Sequence, residues 1–235
     1  MNAVEAAAPD ELDLARAREY ALLAALLLDA PGAELIAGLR ALWGDASPLG
    51  QAHAALAEAA RIVTPADVAR EFDDLFIGLG RGELLPYGSY YQSGFLHERP
   101  LARLRQDLQR LSIERISDRG ESDDHMAILC ETMAGIIDGS FPVPAGAEPL
   151  FFQAHVGPWA ARFFHDLERA EGAAFYRSVG ALGRVFMDIE TAAFALSAPV
   201  TSDPGLDGRE GAGRRFLQQG QDETHPAGDD GDGGQ

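Results

Sequence analysis

The chain has 235 residues, 46% of them hydrophobic, which is enough for one sizeable core and excludes a chain too polar to fold. Its 37 acidic residues stand against 19 basic ones, all of them arginine, for a formal net charge of −18. That balance argues against nucleic acid and anionic membrane as main partners, because both would repel it, and it suits a basic peptide ligand.

Residues 1–9 read as disordered, and their sequence, MNAVEAAAP, has no basic stretch followed by an apolar run, so no secretion signal is expected. Asp10 is a candidate cap for a helix reaching about Ala30, dominated by Leu12, Ala15, Glu19, Leu22, Leu23, Leu26 and Leu27, until Pro31-Gly32 breaks it. The apolar run Tyr20–Leu28 inside it is too short, and too closely flanked by charge, to span a bilayer. The expectation is a cytoplasmic protein without stable membrane insertion. A short helix over 33–42 follows, then a loop at 44–50 and an alanine-rich helix over 51–61.

Thr64-Pro65-Ala66-Asp67 is a helix start, with Thr64 as cap, Pro65 in the first turn and Asp67 answering at the third position. Val68, Phe72, Leu75 and Phe76 carry that helix's apolar face up to Gly78-Leu79-Gly80-Arg81-Gly82. Three glycines invite comparison with a phosphate-binding loop, but no lysine follows and no strand precedes. Leu84–Phe95 reads as a loop holding Tyr87, Tyr90, Tyr91 and Phe95. Such a cluster either plugs the core or lines a groove for an apolar peptide. A helix over 98–111, with Pro100 near its start, leads into Ser112–Gly120, which reads as a hinge between two helical halves.

Glu121–Gly139 is the central stretch and reads as one amphipathic helix. Ser122 caps it, Asp123 and Asp124 sit in the first turn where the helix dipole favours negative charge, and Gly139 stops it. Met126, Leu129, Met133, Ile136 and Ile137 form the apolar stripe. The only cysteine, Cys130, falls within it as a small buried hydrophobe, and an intrachain disulfide is excluded. Asp123-Asp124-His125 has three readings: a capped helix start whose histidine bonds a neighbour, a metal or catalytic site, or a recognition surface for a cationic partner. The second lacks a further His or Cys at ligand spacing. No metal, cofactor or catalytic residue is therefore assigned.

Ser140–Pro149 is a proline-rich loop. Leu150–Ala170 is helical but should break at Gly157-Pro158, where proline removes a backbone bond. Phe151, His155, Trp159 and Phe163 recur at four-residue steps and read as core, with His155 a satisfied core or capping histidine. The last helix, over 171–196, turns Phe175, Val179, Leu182, Phe186, Ile189 and Phe194 inward. From about Pro199 the composition shifts to Gly, Asp and Gln, with eight acidic residues against three arginines, and reads as a disordered acidic tail. With no period-2 alternation anywhere, the fold class is all-α: an irregular bundle of about eight to nine helices over residues 10–198, in two parts joined by a hinge near 112–120.

Three segments resemble the TorD/DmsD-like chaperones, or redox-enzyme maturation proteins. They are Glu71-Phe72-Asp73-Asp74-Leu75-Phe76-Ile77-Gly78 followed by Leu85-Pro86-Tyr87-Gly88-Ser89-Tyr90-Tyr91; Glu121-Ser122-Asp123-Asp124-His125, similar to the family's E-P-x-D-H signature with serine in place of proline; and Phe152 with His155-Val156-Gly157-Pro158-Trp159, then Phe163, Asp166-Leu167 and Phe175-Tyr176. Order and spacing agree over about residues 12–196. The resemblance implies a non-enzymatic chaperone that binds the twin-arginine signal peptide, or the body, of a molybdenum-cofactor enzyme before export. The loop Tyr90–Leu96 with Arg99-Pro100-Leu101 is closest to members encoded with formate dehydrogenases.

On this reading Leu75, Phe76, Tyr87 and Tyr91 offer an apolar groove, while Glu121, Asp123, Asp124 and His125 offer the site for arginine, whose guanidinium bonds carboxylates in a fork. His155, Pro158 and Trp159 form the structural motif. The competing reading is a small enzyme or weak nucleotide binder using Asp124/His125 or the Gly78–Gly82 loop. A third is a helical scaffold, monomeric or a dimer swapped at the hinge.

Overall fold

The computed structural model describes residues 8–78, 82–114 and 120–197. The acidic tail from 199, most of residues 1–9, the middle of the Gly78–Gly82 loop and residues 115–119 of the predicted hinge lie outside the described residues. Those described are all helical or connecting, with no β-strand among them. The elements are α1 (Glu11–Leu28), α2 (Ala33–Arg40), α3 (Pro48–Ile62), α4 (Pro65–Phe72), α5 (Gly88–Ser93), α6 (Arg99–Arg110), α7 (Met126–Ile137), α8 (Ala147–Phe151), α9 (Ala160–Arg169) and α10 (Phe175–Ser197). Two π-helical turns, Asp73–Ile77 and Phe152–Val156, extend α4 and α8. The all-α class is as expected. The helices beyond the expected number are short: α5 lies inside what the sequence suggests is a loop, and α8 is set off from α9 by the turn at Gly157-Pro158.

Local side-chain caps explain the starts of α1, α3 and α4. Asp10 and Asp13 form a reciprocal capping box at α1, and Thr64 and Asp67 do so at α4. Ser47 accepts the Gly50 N–H with Pro48 in the first turn, so α3 begins before the alanine-rich stretch. The start of α10 is different. Glu171-Gly172-Ala173-Ala174 supplies no cap, and the carboxylate of Glu71, about a hundred residues away in the chain, accepts the N–H groups of Ala174, Phe175 and Tyr176. A carboxylate at a helix N-terminus satisfies donors that the helix itself cannot and also meets the positive end of its dipole.

α7 is the centre of the core. Of its residues only Glu131 is not buried, so the expected one-sided stripe is in fact apolar all round, as a central helix must be. α1 packs along it, α10 packs on α9 and α3, and Tyr20, Leu23, Phe163, Phe164, Trp159 and Tyr176 are almost wholly enclosed. Helices from before and after residues 112–120 thus share one core. Cys130 is buried, which pushes its thiol well above the usual range.

Leu12, among the residues that dominate α1, is 68% exposed. One position expected to face inward does not: Ile189 of α10 is 44% exposed. The inward register of α10 runs from Phe186 to Glu190 instead, and Glu190 is 1% exposed. Arg16 of α1 explains the buried carboxylate. Its Nε and one terminal nitrogen each lie 2.8 Å from Glu190, forming a fork, and the second contact also reaches Glu148 at 2.6 Å. Tyr20 donates to the same carboxylate at 3.1 Å, and the guanidinium lies over the Phe194 ring. This network ties α1, α8 and α10 together. Arg16→Ala strands the Glu190 charge in the interior and should lower stability by roughly 3–5 kcal/mol in urea unfolding at neutral pH. Replacing both partners, as Arg16→Met with Glu190→Leu, should cost less than Arg16→Ala alone.

A second pair is pH-sensitive. His53 Nε2 lies 3.0 Å from both oxygens of the buried Glu19 carboxylate, and that bond raises the imidazole above its ordinary value of 6.5. A raised folded value means that the contribution is complete below 6.5 and is lost as pH rises through the folded value. His53→Gln should therefore destabilise most at mildly acidic pH and progressively less in alkali, measured as the difference in urea midpoints across the titration.

Candidate peptide-binding site

Two distant segments meet at the start of α7. The Pro86 carbonyl accepts the Met126 N–H, the Asp124 carbonyl accepts the Gly88 N–H, both at 2.8 Å, and Tyr87 and His125 face one another in a short antiparallel bridge. Asp124 is 3% exposed. Its carboxylate accepts the Ser89 N–H at 2.7 Å, at the start of α5, and the Ser122 hydroxyl at 2.6 Å. The helix expected from Ser122 consequently begins at Met126, and its cap is His125, whose Nδ1 accepts the Ala127 N–H at 3.1 Å. Asp124 and His125 stay outside the helix while paired across the chain, so tertiary hydrogen bonding overrides the local capping signal.

Around this bridge Tyr87 donates to Glu121 at 2.5 Å and its ring stands edge-on to His125, with centroids 5.1 Å apart. Burial first, and then Glu121, push the Tyr87 phenol well above its usual range, so it stays a donor. Tyr91 is one helical turn further on. It donates to Asp166 at 3.1 Å, packs on Trp159 and Phe163, and carries the Arg162 guanidinium over its ring at 5.4 Å. Asp123 turns the other way and accepts from Arg105 of α6 at 2.7 Å.

Trp159 links these groups. Its Nε1 donates to the His155 carbonyl at 2.8 Å, and a Cβ at position 88 would lie 3.0 Å from that same Nε1, a tight approach of backbone to indole that favours glycine. His155 is buried, as expected, against Phe151, with Nε2 2.9 Å from Asp107. Burial, more than Asp107 offsets, lowers its imidazole below the ordinary value. Pro158 lies in the turn between the second π-helical turn and α9.

The eight peptide-site residues named from sequence thus fall into separate places. Tyr87, Glu121, Asp124 and His125 come together, and Tyr91 joins them along α5. Leu75 is fully enclosed in the core, and Phe76 is half-buried against Phe72 and Tyr176. Asp124 and His125 are buried and engaged with the backbone, whereas Glu121, Asp123, Tyr87 and Tyr91 are half-buried. Sequence reasoning gave no role to Arg162, nor to Ser89, Asp166 and Glu71, which it named only within the resembling segments. Glu71 was detectable, because α10 lacks any capping side chain of its own. In the Gly78–Gly82 loop, a Cβ at Gly82 would meet the Leu75 carbonyl oxygen at 2.5 Å, a close backbone approach that accounts for glycine there. Among the described residues no group of three His, Cys, Asp or Glu side chains could hold a metal ion, and no helix is long and apolar enough to cross a membrane.

Asp124→Ala removes the acceptor of a buried N–H and should cost roughly 1–3 kcal/mol. Arg105→Ala, which breaks a pair whose arginine is 60% exposed, should cost under about 1 kcal/mol. Chemical denaturation of the two variants separates them.

A family model described as nitrate reductase delta subunit matches residues 44–165. Chaperone protein TorD of Aliivibrio fischeri is 25% identical over 134 residues, covering 53% of this chain and 62% of that protein. Chaperone protein TorD of Vibrio cholerae El Tor Inaba is 25% identical over 130 residues, 52% of this chain and 59% of that protein. The chain thus spans less than two thirds of these relatives' own length. The crystal structure of a candidate redox enzyme maturation protein from Archaeoglobus fulgidus superposes with a TM-score of 0.51 at 18% identity, over 73% of this chain and 93% of that one, which establishes a common fold.

Proposed function

The chain belongs to the nitrate reductase delta subunit family, which includes the TorD chaperones, and from that premise we propose that it is a cytoplasmic, non-enzymatic chaperone of a molybdenum-cofactor oxidoreductase. It recognises the twin-arginine signal peptide of that client and holds it during maturation. A formate dehydrogenase is the client that the Tyr90–Leu101 segment favours. The single observation carrying this reading is the row of half-buried tyrosines whose hydroxyls donate to carboxylates, Tyr87 to Glu121 and Tyr91 to Asp166.

Such a surface suits arginine on two counts. A guanidinium stacks on an aromatic face and bonds a carboxylate in the same plane. The chain's own Arg162, over Tyr91 and on the same helix as Asp166, illustrates the pose. Glu121 and Asp123 are the carboxylates assigned to the client arginines. Asp124 and His125 act behind them by holding the bridge, and Leu75 and Phe76 act by supporting the core under it.

Isothermal titration against a twin-arginine signal peptide from a molybdoenzyme tests this. Glu121→Gln with Asp123→Asn should weaken binding about tenfold or more, as loss of a charge-assisted hydrogen bond of roughly 1.5–3 kcal/mol requires, with unchanged helix content. Added salt should weaken the wild type and hardly affect the variant. Equal affinity of the two proteins would refute this assignment of the site, and a wild-type chain that binds no such peptide would refute the signal-peptide reading.

A further inference from the structure

α6 is the most basic helix of an acidic chain. Its twelve residues hold Arg99, Arg103, Arg105 and Arg110 against a single acid, Asp107. Arg99, Arg103 and Arg110, at i, i+4 and i+11, fall within about 40° of one another around the helix axis. Arg105 points away from them, toward Asp123. Among the described residues no carboxylate lies within ion-pair distance of Arg99 or Arg103. Asp107 is already engaged, by Arg110 at 2.7 Å and by His155 at 2.9 Å. The stripe therefore presents net positive charge to solvent.

Beside this stripe the surface is concave. A hollow of about 400 Å³ runs between the end of α6 and the Pro144–His155 segment, walled by Leu111, Pro144, Leu150 and Phe151. A second, of about 320 Å³, continues from it past Pro100 and Arg103. The two share Asp107, Arg110, Ala154 and His155 as a common wall, so they form one groove. Its two ends differ in chemistry. One is apolar, with Leu150 68% exposed at the rim, and the other is polar and cationic.

We infer that this groove docks an acidic amphipathic segment of a partner protein, with an apolar side chain in the Leu150–Phe151 end and carboxylates on Arg99, Arg103 and Arg110. Charge complementarity decides the occupant. A cationic signal peptide is repelled here and is suited to the tyrosine–carboxylate row instead. An exposed leucine at the mouth of an apolar hollow is what an anchoring side chain covers. The groove follows a helix roughly 18 Å long, the length of about three turns of a bound helix. The inference does not rest on the signal-peptide reading.

The test is fluorescence anisotropy with a labelled synthetic peptide of roughly 15 residues. It carries glutamates along one helical face and a Leu-Phe pair on the adjoining face. Two controls are a version with lysine for glutamate and one with serine for the Leu-Phe pair. The acidic amphipathic peptide should bind saturably, more weakly in salt, and both controls should bind at least about tenfold more weakly. Arg103→Glu and Leu150→Ser, both at exposed positions where folding is little affected, should each reduce binding, while Arg103→Lys should largely keep it. Circular dichroism checks that each variant remains folded. A twin-arginine peptide should bind all three variants as it binds the wild type. The inference is overturned if the acidic peptide does not saturate, if the lysine control binds as well, or if Arg103→Glu and Leu150→Ser leave its affinity unchanged. It is likewise overturned if those two variants lose the twin-arginine peptide as well, since the groove would then not be a separate surface.

Discussion

The buried carboxylate of Asp124 holds together the two segments on which the surface chemistry depends. It accepts the Ser89 N–H and the Ser122 hydroxyl, while the backbone on either side pairs with Pro86 and Gly88. A carboxylate at 3% exposure is tolerable only when hydrogen-bonded, and here the bonds come from two separate stretches of chain. The result is a rigid junction between the start of α5 and the start of α7. Tyr87, Glu121 and His125 take their positions from it, and Tyr91 follows one turn along α5.

The other long-range bonds have the same character. Glu71 caps α10 across about a hundred residues, Trp159 bonds the His155 carbonyl while packing against Gly88, and Arg16 neutralises Glu190 deep between α1 and α10. Glu71 and Arg16 each satisfy, or are satisfied by, a partner distant in sequence, whereas the Trp159 bond is local and its long-range contact is the packing on Gly88. In a bundle of short helices, such ties set relative placement that apolar packing alone would leave loose, because apolar contacts have little directional preference. The three segments that resemble the chaperone family are largely the segments that make these bonds.

Charge is divided between faces. A chain of net −18 gathers carboxylates and tyrosines at the α5–α7 junction and arginines along the outer stripe of α6. Arg105 of α6 reaches Asp123 at that junction, so one helix borders both surfaces. On the two proposed readings, partner segments of opposite charge would meet different groups of one small domain.

Much of this was readable from the chain alone. Helical spacing and the absence of strand alternation determined the all-α class, and the capping boxes at Asp10 and Thr64 marked two starts correctly because those bonds are local. Periodicity also placed Phe151, His155, Trp159 and Phe163 in the core. What failed was what required a distant partner. Ser122 looked like a cap, but Asp124 bonds Ser89 and moves the helix start to Met126. Position 190 could be seen as inward only once Arg16 was beside it. α5 lay hidden in an aromatic loop because Tyr87 and Gly88 are positioned by strand-like pairing to α7 and by Trp159. Local hydrogen bonds are written within four residues of sequence, whereas the bonds of Tyr87, Ser89 and Tyr91 to their carboxylates close loops of more than thirty residues, and only the folded chain decides them.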